Sequence, residues 1–294
     1  MGRSLVKSLV AASLFAAFAF GAPPTARAQP TLDCEPRHPT DVAGTTCSIL
    51  PDDPRGHWES GRIRPFVSSS LDVGLLYLRP RFSFGYGRPF WLWAGVEANP
   101  ILSLEQVGVY GGLRLASSYV DLRVGARYAY AISASFLERR DTYNPEQLDS
   151  RAGPHSTYLS LETELTASIP LGPGAILSET GLTLITGVTS GYNVFEETLR
   201  VVADPPFVWR QRLGYALRVR KKGALSIGVV AEVVGNPARD LLVVRAGLLV
   251  RMQLFYNLSL RGTFVPTVYS KDDLGLVGAD SFQIGIRWLW ASGD

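Results

Sequence analysis

Thirteen arginines give this sequence its clearest capacity for chemistry: Arg79, Arg81, Arg114, Arg123, Arg127, Arg210, Arg212, Arg218, Arg220, Arg245, Arg251, Arg261 and Arg287. Several stand two or four apart, as in Arg79/Arg81, Arg123/Arg127 and Arg210/Arg212, so an extended strand would put each group on one face. Six acids share that phase: Glu97, Asp121, Glu162, Glu164, Glu179 and Glu232. A guanidinium is a planar, weakly hydrated fork, suited to ion pairs in confined spaces and to holding anions. On one enclosed surface the set would carry seven positive charges in excess, the electrostatics of an anion-preferring conduit. The same residues could instead fill a narrow lumen as Arg–Glu pairs, with Trp91, Trp93, Tyr110 and Phe255 as aromatic plugs, and both readings stand at this level.

The elements that must position these residues are strands. From about residue 62 to 292 the dominant period is two, and no stretch of the chain beyond its first 28 residues approaches 18 uninterrupted apolar residues. In 119–130, Val120, Leu122, Val124, Ala126, Tyr128 and Tyr130 fall on one side, with Asp121, Arg123, Gly125, Arg127 and Ala129 on the other. Eleven such segments are read, at 74–85, 90–99, 106–115, 119–130, 158–169, 176–188, 209–220, 225–234, 242–256, 258–269 and 281–290. In the five segments with two or more charges, 13 charges agree in phase, about one chance in 250 for a random pattern.

Tight connections are expected near Tyr86-Gly87, Ser117-Ser118, Gly172-Pro173-Gly174, Lys221-Lys222-Gly223 and Tyr256-Asn257, and longer ones at 131–157, 189–206, 235–241 and 270–280. For short turns to lie at one end, a further strand must precede the first, and Arg62 to Leu71 is the candidate, giving twelve strands with ten as the fallback. A soluble sandwich would show water a mixed Lys/Glu face. Here the four lysines, Lys7, Lys221, Lys222 and Lys271, sit in the leader or at turns. The Arg-rich face is therefore read as enclosed and the uncharged face as turned to lipid. The expected fold is all-β, an antiparallel up-and-down transmembrane barrel of about twelve strands.

Residues 1–28 read as a cleaved signal peptide: Arg3 and Lys7, an apolar stretch from Leu9 to Phe20, then Ala26-Arg27-Ala28. The chain's formal charge of +3 belongs to this leader, since without Arg3, Lys7 and Arg27 there remain 26 basic residues against 26 acidic ones. Residues 29–61 read as a short periplasmic tail, and 62–294 as the barrel. In an oxidising compartment Cys34 and Cys47 are expected to form a disulfide; with His38 they would supply only three metal ligands. The composition, 46% hydrophobic and 19% charged, excludes a disordered chain.

The leader, the alternating strands and the aromatic-rich last strand, Phe282 to Trp290, resemble bacterial outer-membrane β-barrel proteins, porin-like ones among them. The resemblance implies a place in the outer membrane of a gram-negative cell, contact with membrane lipids and lipopolysaccharide, and insertion by the barrel-assembly machinery. The family's closing aromatic residue is followed here by Ala291-Ser292-Gly293-Asp294. Some twelve-stranded members are lipases, and His155-Ser156 faintly echoes their His–Ser pair, but the His-x-Ser-Asn run is missing. Gly-x-Ser-x-Gly, His-Glu-x-x-His and phosphate-loop motifs are absent as well. No catalytic residue, cofactor, metal site or nucleic-acid partner is expected, and the oligomeric state is open. Loop-mediated adhesion or assembly is the remaining alternative. Asp272, Asp273 and Asp280, and Glu138, Asp141, Glu146 and Asp149, read as solvated acidic loops, and Arg218-Val-Arg-Lys-Lys222 as a basic rim.

Overall fold

A computed structural model describes residues 54–59, 61–74, 78–102, 106–148, 153–219, 225–281 and 284–292. The expected leader and the Cys34–Cys47 pair lie outside the described residues, as do Arg220, Lys221 and Lys222. A short helix α1 (Pro54–Glu59) precedes β1 (Arg64–Gly74), β2 (Leu78–Arg88), β3 (Leu92–Leu102), β4 (Gln106–Ala116) and β5 (Val120–Ala131). There follow a two-residue β6 (Leu137–Glu138), helix α2 (Pro145–Leu148), β7 (Tyr158–Leu171) and β8 (Gly174–Thr186). Next come the short β9 (Tyr192–Glu196) and β10 (Val201–Ala203), then β11 (Phe207–Arg218), β12 (Leu225–Asn236) and β13 (Leu241–Phe255). The chain ends with β14 (Leu258–Val265), β15 (Thr267–Tyr269), β16 (Asp280–Ser281) and β17 (Gly285–Ala291).

Each long strand pairs antiparallel with its neighbours, and β17 returns to pair with β1 from Ser68↔Ala291 to Gly74↔Gly285. The result is a closed barrel of twelve strands, with β14–β15 and β16–β17 each counted as one interrupted strand. Pro266 makes the first interruption, because it has no N–H to donate. Its carbonyl still accepts from the Ala246 N–H at 3.2 Å. Closure removes every sheet edge, which a hydrocarbon environment requires.

The outer face is apolar, with Phe82, Phe84 and Tyr86 more than half exposed while Ser83 between them is buried. Tyr86, Phe255 and Tyr256 mark one rim and Tyr128, Tyr130 and Tyr269 the other, as interfacial aromatics do. With its closed ring and uncharged apolar belt the chain has the architecture of a transmembrane β-barrel. On the inner side Tyr110 lies flat over Gly112 and Gly125. A Cβ on either glycine would come within 2.6 Å of its hydroxyl, so these glycines let an aromatic ring sit where the wall bends.

Three details depart from the sequence reading. The β2–β3 turn falls at Pro89–Trp91, with Phe90 in the left-handed region (φ 59), and Tyr86 and Gly87 belong to β2. Trp91 is thus a turn residue rather than a lumen plug. Phe255 is also no plug. The register of β13 against β14 shifts between Gln253 and Phe255, and this bulge turns the ring outward, 66% exposed.

The tight turns and both barrel ends lie at one mouth, the longer loops at the other. At the loop end β6, β9 and β10 form a separate antiparallel sheet in the order β10-β9-β6. Val194, Leu199, Val201 and Ala203 from this cap pack with Ala129, Tyr158, Ile185, Val208, Val234, Leu241 and Val243 of the strands. Val202, between Val201 and Ala203, points the other way into a second cluster with Leu137, Tyr143 and Leu274. A cap with one apolar face in the barrel mouth and the other under the outer loops is held by both. Each fully buried valine contributes about 1.5–3 kcal/mol.

Candidate functional site: the barrel lumen

Strand register places the inner-face charges in rows. Glu179 of β8 stands opposite Arg212 of β11, Arg212 opposite Glu232 of β12, and Glu232 opposite Arg245 of β13. Opposite charges directly across antiparallel strands attract, and here the attraction is continuous. Arg245 Nη1 and Arg212 Nη2 each lie 2.5 Å from Glu232, Arg212 Nη1 is 3.8 Å from Glu179, and Arg210 pairs with Glu179 and, at 3.4 Å, with Glu164. Arg123 then joins Glu164 (3.2 Å) to Glu97 (2.6 Å), and Arg114 joins Glu97 (3.0 Å) to Asp121 (2.6 Å). Ten residues of alternating sign thus run around the wall from β5 through β3 and across to β13. The Arg123 guanidinium also lies over the Tyr110 ring, 4.9 Å from its centre, and Arg114 over Trp93 at 5.4 Å.

Two arginines tie this wall to the cap. Arg127 pairs with Glu162 on β7 and reaches Glu196 Oε1 (3.0 Å) and Thr198 Oγ1 (3.0 Å) in the cap. Arg245 donates to the carbonyls of Leu199 (3.0 Å) and Arg200 (2.9 Å). Glu196, fully buried, also accepts from the Tyr158 hydroxyl at 2.7 Å. Burial alone would raise its carboxyl. Arg127, with the Tyr158 and Thr198 hydroxyls, holds it below the usual glutamate range. From outside, Arg239 donates to both Asp272 oxygens (2.8 and 2.9 Å) and to the Val202 carbonyl (2.7 Å), and lies over Tyr143. Asp272 is therefore a buried clamp, not the solvated loop acid that sequence suggests.

The other wall, made by β14, β17, β1, β2 and the turn-end part of β13, differs. It carries Arg79, Arg81, Arg251, Arg261 and Arg287 with one acid, Asp72. Arg287 engages Asp72 through two nitrogens, Nη2 at 2.7 Å. Arg81 lies 4.0 Å from Glu97, a carboxylate already held by Arg114 and Arg123. The Nε atoms of Arg81 and Arg261 are buried without a hydrogen-bond partner. Between the walls is a cavity of about 340 Å³, bounded by Arg79, Arg81 and Arg287 on one side, Glu162, Glu164 and Glu179 on the other, and Thr198 and Leu199 of the cap.

Of the remaining residues singled out in the sequence, Arg218 is exposed at the end of β11 and Arg251 is exposed near the turn-end mouth, donating to Gln253 at 3.0 Å. His155 is exposed and Ser156 buried, so the echo of a lipase pair forms no site. Sequence reading missed Asp72, because it ended that strand at Leu71, and missed Glu196, Arg239 and Tyr158. Asp72 follows the even-numbered phase of Ser68 and Ser70, the signal that could have found it. At the turn end, Trp58 of α1 is buried, donating to the Tyr256 carbonyl at 3.2 Å and contacting Phe90 edge-on.

No protein-family model and no curated protein matches this sequence. Solved structures of similar outline include the NanC porin, at 9% identity and TM-score 0.34 over 78% of this chain and 98% of that one. BamA from Haemophilus ducreyi lacking POTRA domains 1–3 aligns at 8% identity and TM-score 0.36, over 78% and 70% of the two chains. A loop L8 deletion mutant of OmpT, an outer membrane protein of Vibrio cholerae, aligns at 10% and 0.33, over 77% and 97%.

Proposed function

We propose that this protein is a porin-like barrel of the gram-negative outer membrane that admits small anions, and that the β6/β9/β10 cap is its gate, closed in the conformation described. The observation that carries the reading is the second lumenal wall, where Arg79, Arg81 and Arg287 face the cavity with Asp72 as the one acid among them. Such a wall raises the local concentration of anions and rejects cations. The long-loop end, with the cap, is taken to face outward and the short turns the periplasm. Residues 1–28 would direct export and be removed, 29–61 would form a periplasmic tail closed by Cys34–Cys47, and lipids with lipopolysaccharide would surround the belt.

Planar-bilayer recording tests both parts. The wild-type barrel should conduct rarely. A variant lacking residues 192–203 should conduct steadily, with anions favoured over potassium. A cation-preferring opened barrel would overturn the anion reading, and a steadily open wild type would remove the cap's role as gate.

A further inference from the structure

We propose that the arginine wall holds a specific binding site for a small oxyanion carrying two negative charges, of the size of inorganic phosphate, centred on Arg81, Arg261 and Arg287. The proposal rests on the reading of the lumen as anion-attracting and gives that reading a ligand class. Strand register sets the three close together: Arg287 stands opposite Asp72, Arg81 opposite Ser70 two residues before Asp72, and Arg261 on β14 two residues from Ser259, which faces Arg287. Asp72 is the acid within this group, while Glu97 beside Arg81 is held by Arg114 and Arg123. Three guanidinium charges against one carboxylate leave a surplus of two. One dianion cancels it, whereas a chloride cancels half.

The free donors point to the same class. Asp72 is engaged by two nitrogens of Arg287, and Glu97 is shared between Arg114 and Arg123 before Arg81 approaches it at 4.0 Å. Arg81 and Arg261 each keep a buried Nε–H with no acceptor. Buried, unmatched donors on charged groups are costly, and a tetrahedral oxyanion offers acceptors to two planar forks at once. The cavity of about 340 Å³ beside Arg81 and Arg287 leaves room for such an ion with part of its hydration. On the facing wall each ladder arginine already holds a carboxylate within 3.2 Å, so its charge is compensated.

The test is calorimetric titration of the full chain in detergent micelles with inorganic phosphate, at a pH where phosphate is doubly charged and at constant ionic strength set with chloride. One phosphate per barrel is expected. Affinity should fall about tenfold in R81Q or R261Q, with a further loss in the double variant, while R81K retains part and the rim variant R218Q is unchanged. Heat-modifiable gel mobility establishes that each variant is folded. The barrel lacking 192–203 is titrated in parallel, so that blocked access is not read as lack of a site. Undiminished uptake in folded R81Q/R261Q, or none in either the capped or the opened barrel, would overturn the site. Anion-selective conductance without phosphate uptake would sink this proposal and leave the passage reading standing. Uptake together with unselective conductance would do the reverse.

Discussion

The two walls of the lumen use the same side chain to opposite ends. On the wall from β3 to β13, arginine is half of a repeating pair, and every guanidinium in the chain from Arg114 to Arg245 has a carboxylate within 3.2 Å. On the wall from β14 to β2, arginine is in surplus, and Asp72 is its one local acid. Both walls are enclosed, so dielectric alone does not separate them. What separates them is register. On β8, β11, β12 and β13 the inward positions that stand opposite one another alternate in sign. On the other wall only one such row exists, Arg79–Asp72–Arg287; Arg81 stands opposite Ser70, and Arg261 opposite Arg251 and Gly285. Neutralised arginines hold a wall together. Those left in excess have charge available for something else.

Four substitutions or conditions break or sharpen this contrast. The largest effect is expected from Glu232→Gln, which strands Arg212 and the fully buried Arg245 without their shared carboxylate. Loss of about 3–5 kcal/mol is expected, read as a lower urea midpoint in micelles. Ser70→Glu should work in the other direction: placed opposite Arg81, a carboxylate would extend the ladder pattern to the second wall. It should add about 0.5–1 kcal/mol of stability and reduce anion preference in the opened barrel. Arg261→Gln removes one surplus cation, so its urea midpoint should stay within about 1 kcal/mol of wild type or rise. A loss like that of Glu232→Gln would erase the distinction between the walls.

The smallest effect concerns the cap. Because the Glu196 carboxyl is held below its ordinary value of 4.5, its latch contributes fully above that value and is lost as pH falls through the lower folded one. Hydrogen exchange at Val194 and Val202 should therefore accelerate only in acid. Glu196→Gln should flatten that dependence, and an unchanged acid response in this variant would place the latch elsewhere.

Much of the architecture was legible because a barrel wall with lipid on one side and charge on the other writes its period directly into sequence, as in Val120 to Tyr130. The strand number followed from loop asymmetry and the need for a strand before β2. The cap was not legible. Where strands enter the loop end, inward positions are apolar too, as in Val233-Val234 and Leu241-Leu242-Val243-Val244, because they bury against the cap. Alternation disappears there for a physical reason, and reads as a weak strand end. The two-sided apolar Val201-Val202-Ala203 carries the same message inside what reads as a loop. The bulge that expels Phe255 is a backbone event with no residue to announce it, and Glu196 lies among loop residues whose partners come from strands far away in sequence.

The ladder has a mechanical consequence as well. The row Glu179–Arg212–Glu232–Arg245 crosses four strands at right angles to the chain, so it acts as a hoop, bearing tension that would otherwise fall on backbone hydrogen bonds alone. The opposite arc has only the Arg79–Asp72–Arg287 row over β2, β1 and β17, none of it reaching β14, and β14 and β17 are only 8 and 7 residues long. A ring reinforced over part of its circumference yields at the plain arc. Swelling of the barrel, whether by lateral pressure in the bilayer or by denaturant, should begin between β14 and β17 while the ladder side keeps its shape.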